Sequence, residues 1–239
     1  MIIDFHTHIL PAIDDGARNP ACSLEMLKAS FAQGVEYIIA TPHFYGNRDR
    51  LDNFLNRRKE AADIVTQMLR EDDSLPGMRL GAEVAYFPGI SRAEGMESLC
   101  IEGTRTLMLE MPFTIWNTRI IDEVFALAYD RKFTVVLAHV ERFLGFPGQR
   151  DKLDILSEIP IYLQINADSL QEEKLFKRNR SRELISWFET GKASLMGSDC
   201  HNMTDRSPNL MSGRAMLSPA ALHRIDLAAQ QLMTPIENF

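Results

Sequence analysis

Short apolar runs rich in β-branched residues alternate along this chain with longer stretches in which apolar residues recur at helical spacing. The runs predict strands at Met1–Phe5, Tyr37–Ala40, Met78–Ala82, Thr106–Leu109, Phe133–Ala138, Ile159–Ile165 and Ala193–Met196. Helices are predicted between them. Leu24, Leu27 and Phe31 form one stripe that stops at Gly34. Leu51, Phe54, Leu55, Ile64, Val65, Met68 and Leu69 form a second, ending near Leu75-Pro76-Gly77. A third carries Ile120, Ile121, Val124, Phe125 and Ala128, a fourth runs from Ser169 to Glu189, and a fifth from Pro219 to Met233. Strand runs that are apolar on both faces and separated by helices imply parallel strands covered on each side. The pattern predicts an α/β fold of about seven βα units, an incomplete or distorted barrel, formed as a single domain over residues 1–239.

Nearly every predicted strand ends in a residue that can bind a metal. His6 and His8 follow the first strand, His43 the second, Glu83 the third, Glu110 the fourth, His139 the fifth, and Asp199 with His201 the seventh. In a parallel barrel these ends meet on one face, where such folds keep their active sites. A single strand-end histidine is more often structural than a ligand. Here five of the six histidines fall at strand ends, which scatter does not explain. In an extended His-x-His segment alternate side chains point the same way, so both imidazoles of His6 and His8 can reach one ion. Imidazole mixed with carboxylate suits divalent manganese, iron or zinc, and the donors exceed the needs of one ion, which predicts a multi-metal hydrolytic site. Asp14-Asp15-Gly16, just after the pair, is either a turn or a source of one more carboxylate. Arg142 and Arg206 stand beside ligand candidates and offer planar forks that match a phosphate; salt bridges to Glu141 and Asp205 are their structural alternative.

Composition narrows the setting. The 239 residues are 45% hydrophobic and 25% charged, enough for one large core. A formal net charge of −7 opposes nonspecific nucleic-acid binding, which needs a basic footprint. Met1-Ile2-Ile3-Asp4-Phe5-His6 has no signal-peptide character, and no segment approaches the roughly 18 apolar residues of a membrane span. Three cysteines, Cys22, Cys100 and Cys200, without CxxC spacing predict reduced thiols and a cytoplasmic protein.

Together the segments Asp4-Phe5-His6-Thr7-His8, Asp14-Asp15-Gly16, Thr41-Pro42-His43, Gly81-Ala82-Glu83, Leu109-Glu110, His139-Val140-Glu141-Arg142 and Ser198-Asp199-Cys200-His201-Asn202, followed by Arg206, resemble the polymerase and histidinol phosphatase (PHP) family. Within it they resemble the bacterial manganese-dependent protein-tyrosine phosphatases of capsule and exopolysaccharide operons. The resemblance implies a distorted TIM-like (β/α)7 barrel with three divalent ions, manganese first, with iron or zinc as alternatives. It implies one ion on His6, His8, Glu110 and Asp199, a second on Glu83, Glu110 and His139, and a third on Asp15, His43 and His201. It also implies a phosphotyrosine protein as substrate, the tail of a membrane-associated tyrosine autokinase that controls polysaccharide export.

Ions in such a site lower the pKa of bound water, so a metal-bound hydroxide is the expected nucleophile. Arg142 and Arg206 would take up charge on the phosphoryl oxygens. A phenolate leaving group has a reference pKa of only about 10 and depends little on a general acid. Cys200 and Arg206 fit the Cys-x5-Arg spacing of thiolate phosphatases, but the intervening residues contain no glycine and include Asp205, which opposes a phosphate-cradling loop. A small-molecule phosphatase such as histidinol phosphatase is the alternative enzyme, and a binding module with a degenerate site is the alternative class. Tyr45, Phe87, Phe113 and Trp116 follow ligand-bearing ends and are candidates for either an aromatic pocket or core packing. His223 reads as structural or exposed, and the basic stretch Lys174, Lys177, Arg178, Arg180 and Arg182, interleaved with glutamates, as a solvated helix face.

Overall fold

The computed structural model describes residues 1–171 and 175–235, with side chains described through 1–171 and 179–235. In chain order the elements are β1 (Ile3–Thr7), α1 (Pro20–Ala32), β2 (Tyr37–Ala40), β3 (His43–Tyr45), α2 (Leu51–Glu71), β4 (Gly77–Leu80), β5 (Glu83–Ala85), β6 (Thr106–Glu110), α3 (Thr118–Tyr129), β7 (Thr134–Leu137), α4 (Gln149–Ser157), β8 (Ile161–Asn166), α5 (Leu175–Thr190), β9 (Leu195–Gly197), α6 (Leu210–Arg214) and α7 (Pro219–Leu232). Short 3-10 turns fill several connections. Every ladder pairing is parallel, in two sheets of order β1-β2-β4 and β3-β5-β6-β7-β8-β9.

Each predicted strand region contains a strand. The second and third continue past a break into β3 and β5, which the apolar pattern did not separate. Pro42 lacks the N–H that an unbroken ladder needs. The backbone stays stitched across the break: Gly81 N donates to Ala40 O at 2.8 Å, and Glu83 N to Pro42 O at 3.0 Å. One consequence is positional. His43 and Glu83 become register partners at the start of a new parallel pair.

Local chemistry sets the helix ends. Asn19, Asn117 and Ser218 accept from Cys22 N, Ile120 N and Ala221 N at the starts of α1, α3 and α7, caps worth about 1 kcal/mol each. Pro20 and Pro219 occupy the first helical turn, where a missing N–H costs nothing. The predicted fourth helix divides: Ser169 lies in a 3-10 turn over Ala167–Leu170, α5 begins at Leu175, and residues 172–174 lie outside the described ones. The short helices α4 and α6 were not anticipated; α4 buries only Gln149, Leu153 and Leu156, too narrow a stripe to register.

The buried strands pack against the helices in one large core, and a smaller cluster of Ile3, Phe5, Ile39, Met108, Val136 and Leu195 is covered by Ala229, Leu232 and Met233 at the end of α7. The first and last strands also meet. Thr7 bridges Cys200, Asp199 N donates to His6 O at 2.8 Å, and His8 N donates to Cys200 O at 2.9 Å. No helix among the described residues is long and apolar enough to cross a membrane.

Candidate metal centre

The strand ends deliver all nine metal-ligand candidates to one place. His6 and His8, two residues apart on extended chain, bring their Nε2 atoms to 3.1 Å of each other. Glu83 sits among the imidazoles: Oε2 lies 3.2 Å from His6 Nε2, 3.3 Å from His8 Nε2 and 2.9 Å from His43 Nδ1, and Oε1 lies 2.7 Å from His139 Nε2. Asp199 Oδ1 approaches His6 Nε2 at 3.6 Å and His8 Nε2 at 3.5 Å, and Glu110 Oε1 lies 3.5 Å from His139 Nε2.

The Asp14-Asp15-Gly16 segment does two jobs. Asp14 is half-buried with its side chain turned inward; its Oδ2 accepts from His8 Nδ1 at 2.8 Å and from His43 N at 3.0 Å, and its Oδ1 accepts from Gly16 N. Asp14 thus makes the turn and orients His8. Asp15 is 65% exposed, and its Oδ1 stands 3.4 Å from both His43 Nε2 and His201 Nε2. Gly16 is required by space, because a Cβ there would lie 2.2 Å from the His8 carbonyl oxygen.

Two candidates hold strained backbone: His139 has φ 31° and Asp199 φ 53°, the left-handed region that non-glycine residues avoid. Arg142 and Arg206 both reach Asp199 Oδ2, at 2.5 and 2.8 Å, not Glu141 or Asp205, and Arg206 Nη1 also lies 3.9 Å from Asp15 Oδ2. Cys200 is fully buried, and burial pushes its thiol well up, so it does not present a thiolate.

β8 supplies residues that the search for chemistry passed over. Gln164 Oε1 accepts from His6 Nδ1 at 3.1 Å and from His139 N at 2.8 Å; its Nε2 donates to Asn166 Oδ1 at 2.9 Å, and Asn166 Nδ2 donates to Asp199 Oδ2 at 2.8 Å. Amides match no catalytic motif. The available signal was polar residues at 164 and 166, alternate positions of a strand otherwise apolar in its second half.

Burial works to raise the Glu83 carboxyl, yet His6 and His139 outweigh it and hold it well below its ordinary value. Burial and the nearby Glu83 push Glu110 up to about 7. Burial opposes protonation of His8 and His43, but Asp14 and Glu83 raise His8 to about 9, and Asp15 and Glu83 raise His43 to about 11. Burial, with His8 next, lowers His201 to about 4. Cation binding here would displace protons from imidazole and so be pH-dependent.

Among the described residues three donor groups have atoms close enough to hold a cation: His8, Asp15, His43 and His201; His6, His8 and Asp199; and His43, Glu83 and Glu110. Glu110 therefore gathers with Glu83 and His43 and not with His6, His8 and Asp199. Glu83 Oε2 and His43 Nδ1, 2.9 Å apart but not aligned as donor and acceptor, and His201 Nε2 are buried in this cluster without a hydrogen-bond partner. Buried polar atoms are rarely left so, and a divalent cation would satisfy them. The neighbouring aromatics divide. Trp116 is fully buried, its Nε1 donating to Pro112 O, and belongs to the core; Tyr45 is half-buried and stacks on His43, Phe87 is half-buried, and Phe113 is 59% exposed against Phe143. His223 is exposed, Arg180 half-buried and Arg182 exposed; Lys174 lies outside the described residues, as do the side chains of Lys177 and Arg178.

Parallel strands that gather imidazoles, carboxylates and two arginines at one end define an α/β protein with a candidate multi-metal hydrolase site. Comparison with known sequences gives the particular family. A family model described as capsular polysaccharide synthesis, CpsB/CapC, matches residues 2–225, and the chain belongs to that family. It is 30% identical over 207 residues to the tyrosine-protein phosphatase YwqE of Bacillus subtilis, covering 86% of this chain and 80% of that one. It is 25% identical over 219 residues to the tyrosine-protein phosphatase CpsB of Streptococcus agalactiae, covering 87% and 86%. A solved structure, described among crystal structures of YwqE from Bacillus subtilis and CpsB from Streptococcus pneumoniae as unique metal-dependent tyrosine phosphatases, superposes with a TM-score of 0.84 at 26% identity, over 100% of this chain and 96% of that one.

Proposed function

We propose that this chain is a metal-dependent protein-tyrosine phosphatase acting as a single domain over residues 1–239. The observation that carries the reading is the cluster of imidazoles and carboxylates in which buried ligand atoms of Glu83, His43 and His201 have no hydrogen-bond partner, in a chain whose relatives are named tyrosine-protein phosphatases. The donors fit three divalent ions, manganese first, since mixed imidazole and carboxylate sets suit manganese, iron or zinc. Their grouping supports one ion on His6, His8 and Asp199 and one on Asp15, His43 and His201, and the approach of His139 Nε2 to Glu83 at 2.7 Å and to Glu110 at 3.5 Å supports one on Glu83, Glu110 and His139. Glu83 Oε2, within 3.3 Å of three imidazoles, would be shared among the ligand groups that hold the ions. We also infer that the two sheets make up a distorted (β/α)7 barrel, supported by the Thr7–Cys200 bridge and by the stitched breaks between β2 and β3 and between β4 and β5.

When bound, the ions would supply an activated water and neutralise charge on phosphoryl oxygens. The chain's own residues do the rest. Arg142 and Arg206, both anchored on Asp199 Oδ2 and both 34% exposed, present their remaining donors to an incoming phosphate and position it. Tyr45, stacked on His43, gives an aromatic ring a flank to rest on. Asp14 and Gln164 fix the rings of His8 and His6. Departure of a phenolate, whose reference pKa is about 10, needs little help from an acid. The family description supports a substrate in capsular polysaccharide synthesis, and the substrate proposed is the phosphotyrosine tail of a membrane-associated tyrosine autokinase, met in the cytoplasm.

The test is hydrolysis of a phosphotyrosyl peptide and of histidinol phosphate, side by side, by manganese-reconstituted protein, with EDTA-treated and His6→Ala samples. Peptide turnover that both treatments abolish is the expected result. Preference for histidinol phosphate moves the chain to small-molecule chemistry, and turnover of neither overturns the phosphatase reading.

A further inference from the structure

We infer that Gln164 and Asn166 on β8 form a relay of fixed polarity that orients His6 and Asp199 as metal ligands, each a positioning residue for the centre proposed above. β8 brings no ligand candidate of its own, yet its two amides touch candidates from β1, β7 and β9.

The direction of every hydrogen bond in the relay follows from one group whose role cannot change. The backbone N–H of His139 is only a donor, and it points at the Gln164 side chain at 2.8 Å. The Gln164 atom facing it must therefore be the carbonyl oxygen. That same oxygen lies 3.1 Å from His6 Nδ1, so His6 must donate from Nδ1. A neutral His6 then carries its lone pair on Nε2, the atom that faces His8, Glu83 and Asp199. On the other side, Gln164 Nε2 donates to Asn166 Oδ1 at 2.9 Å, which leaves Asn166 Nδ2 to donate to Asp199 Oδ2 at 2.8 Å. Asp199 Oδ2 is thereby turned toward Asn166, Arg142 and Arg206, while Oδ1 is left for the two imidazoles.

The choice of amide has a reason. His8 is oriented by a carboxylate, Asp14, which only accepts. The residue at 164 must accept on one side and donate on the other, and among side chains of this length an amide does both. A carboxylate at 164 would accept from His6 and His139 but would turn Asn166 around, aiming its oxygen at Asp199. Gln164 and Asn166 are both buried, which keeps water from substituting for either.

The test uses full-length protein labelled with 15N-histidine and titrated with zinc, a diamagnetic probe, following each histidine by its own ring-nitrogen signals. In the wild type, zinc is expected to shift His6 Nε2, while His6 Nδ1–H remains hydrogen-bonded and slow to exchange. Gln164→Met is expected to need roughly 10- to 100-fold more zinc to move His6, the loss typical when a partner behind a metal-bound histidine is removed, and to lose the protected Nδ1–H. His43, which touches neither amide nor Asp199, should titrate as in the wild type; equal weakening at His6 and His43 would mean general loosening and would overturn the inference. Gln164→Glu keeps the acceptor and is expected to restore the protected His6 proton, which also answers misfolding of the Met variant. Zinc bound at His6 through Nδ1, or undiminished His6 titration in Gln164→Met, overturns the relay alone. No zinc response at His6 in the wild type overturns the metal centre on which it rests.

Discussion

Removing Arg142 and Arg206 singly and together separates a phosphate clamp from an ordinary ion pair. Both guanidinium groups meet Asp199 Oδ2, at 2.5 and 2.8 Å, while 34% of each side chain stays open to solvent. Asp199 itself is buried, but when either arginine goes it keeps the other arginine and its bond from Asn166, which holds the expected loss to about 1 kcal/mol. Arg142→Ala and Arg206→Ala are therefore expected to lower Tm by only about 2–4 °C in a chain of this size. Activity should respond far more. A hydrogen bond from a cation to a charged group is worth about 1.5–3 kcal/mol, so each variant is expected to lose roughly 10- to 150-fold in kcat/KM toward a phosphotyrosyl peptide. The two share Asp199 and would share one phosphate, so the double variant should lose less than the product of the singles. The assay is steady-state release of phosphate at saturating manganese, with thermal melts of the same samples. Unchanged kcat/KM in both single variants, with a lowered Tm, would refute the clamp and leave the arginines as partners of Asp199 only.

Other consequences are open to simpler measurements. Burial pushes the Cys100 thiol up to about 12 and raises Cys200 as well, so a disulfide reagent at pH 8 should label half-buried Cys22 in the native protein and the other two only after unfolding; Cys200→Ser should keep phosphatase activity, which a thiolate mechanism could not. Burial raises Glu141 from 4.5 to about 7, so the folded form holds this proton more tightly than the unfolded chain. Its contribution is full below about 4.5 and is lost as pH rises through about 7; urea midpoints measured across that window should fall less steeply in Glu141→Gln than in the wild type. Arg214 is 5% exposed and pairs with Asp226 through two bonds of 2.7 and 3.0 Å. Asp226→Ala strands that charge and should cost about 3–5 kcal/mol, a fall of roughly 6–20 °C in Tm, whereas Arg214→Met combined with Asp226→Leu should cost far less.

The strand regions and the gathering of eight of the nine ligand candidates were legible for one reason: each lies where a predicted strand ends, and a run's end is a local signal, whereas Asp15 came from the family resemblance. What lay beyond reach depended on contacts between distant segments. The division of labour between Asp14, whose side chain turns inward against His8, and Asp15, which faces His43 and His201, follows from the path of the turn and not from the residue types. The central place of Glu83 depends on the break after β4 that puts it in register with His43. Trp116 had the same flanking pattern as Phe113 and both rings meet Phe143, but only Trp116 is enclosed, its backbone N donating to Gln149 Oε1 and its Nε1 to Pro112 O. Gln164 and Asn166 went unseen because their value lies in the polarity of their bonds.

The left-handed backbone at His139 and Asp199 sets the terms on which this site can be lost. Each position stores conformational strain of order 1–3 kcal/mol that function requires and folding does not. Glycine at either would release that strain while abolishing a ligand candidate, and wherever the release outweighs the lost side-chain contacts the inactivating change runs downhill in stability. Lineages released from selection for catalysis would then drift to sturdier, silent copies of the same fold, and a screen that rewards expression or heat resistance alone would select against the enzyme it set out to improve.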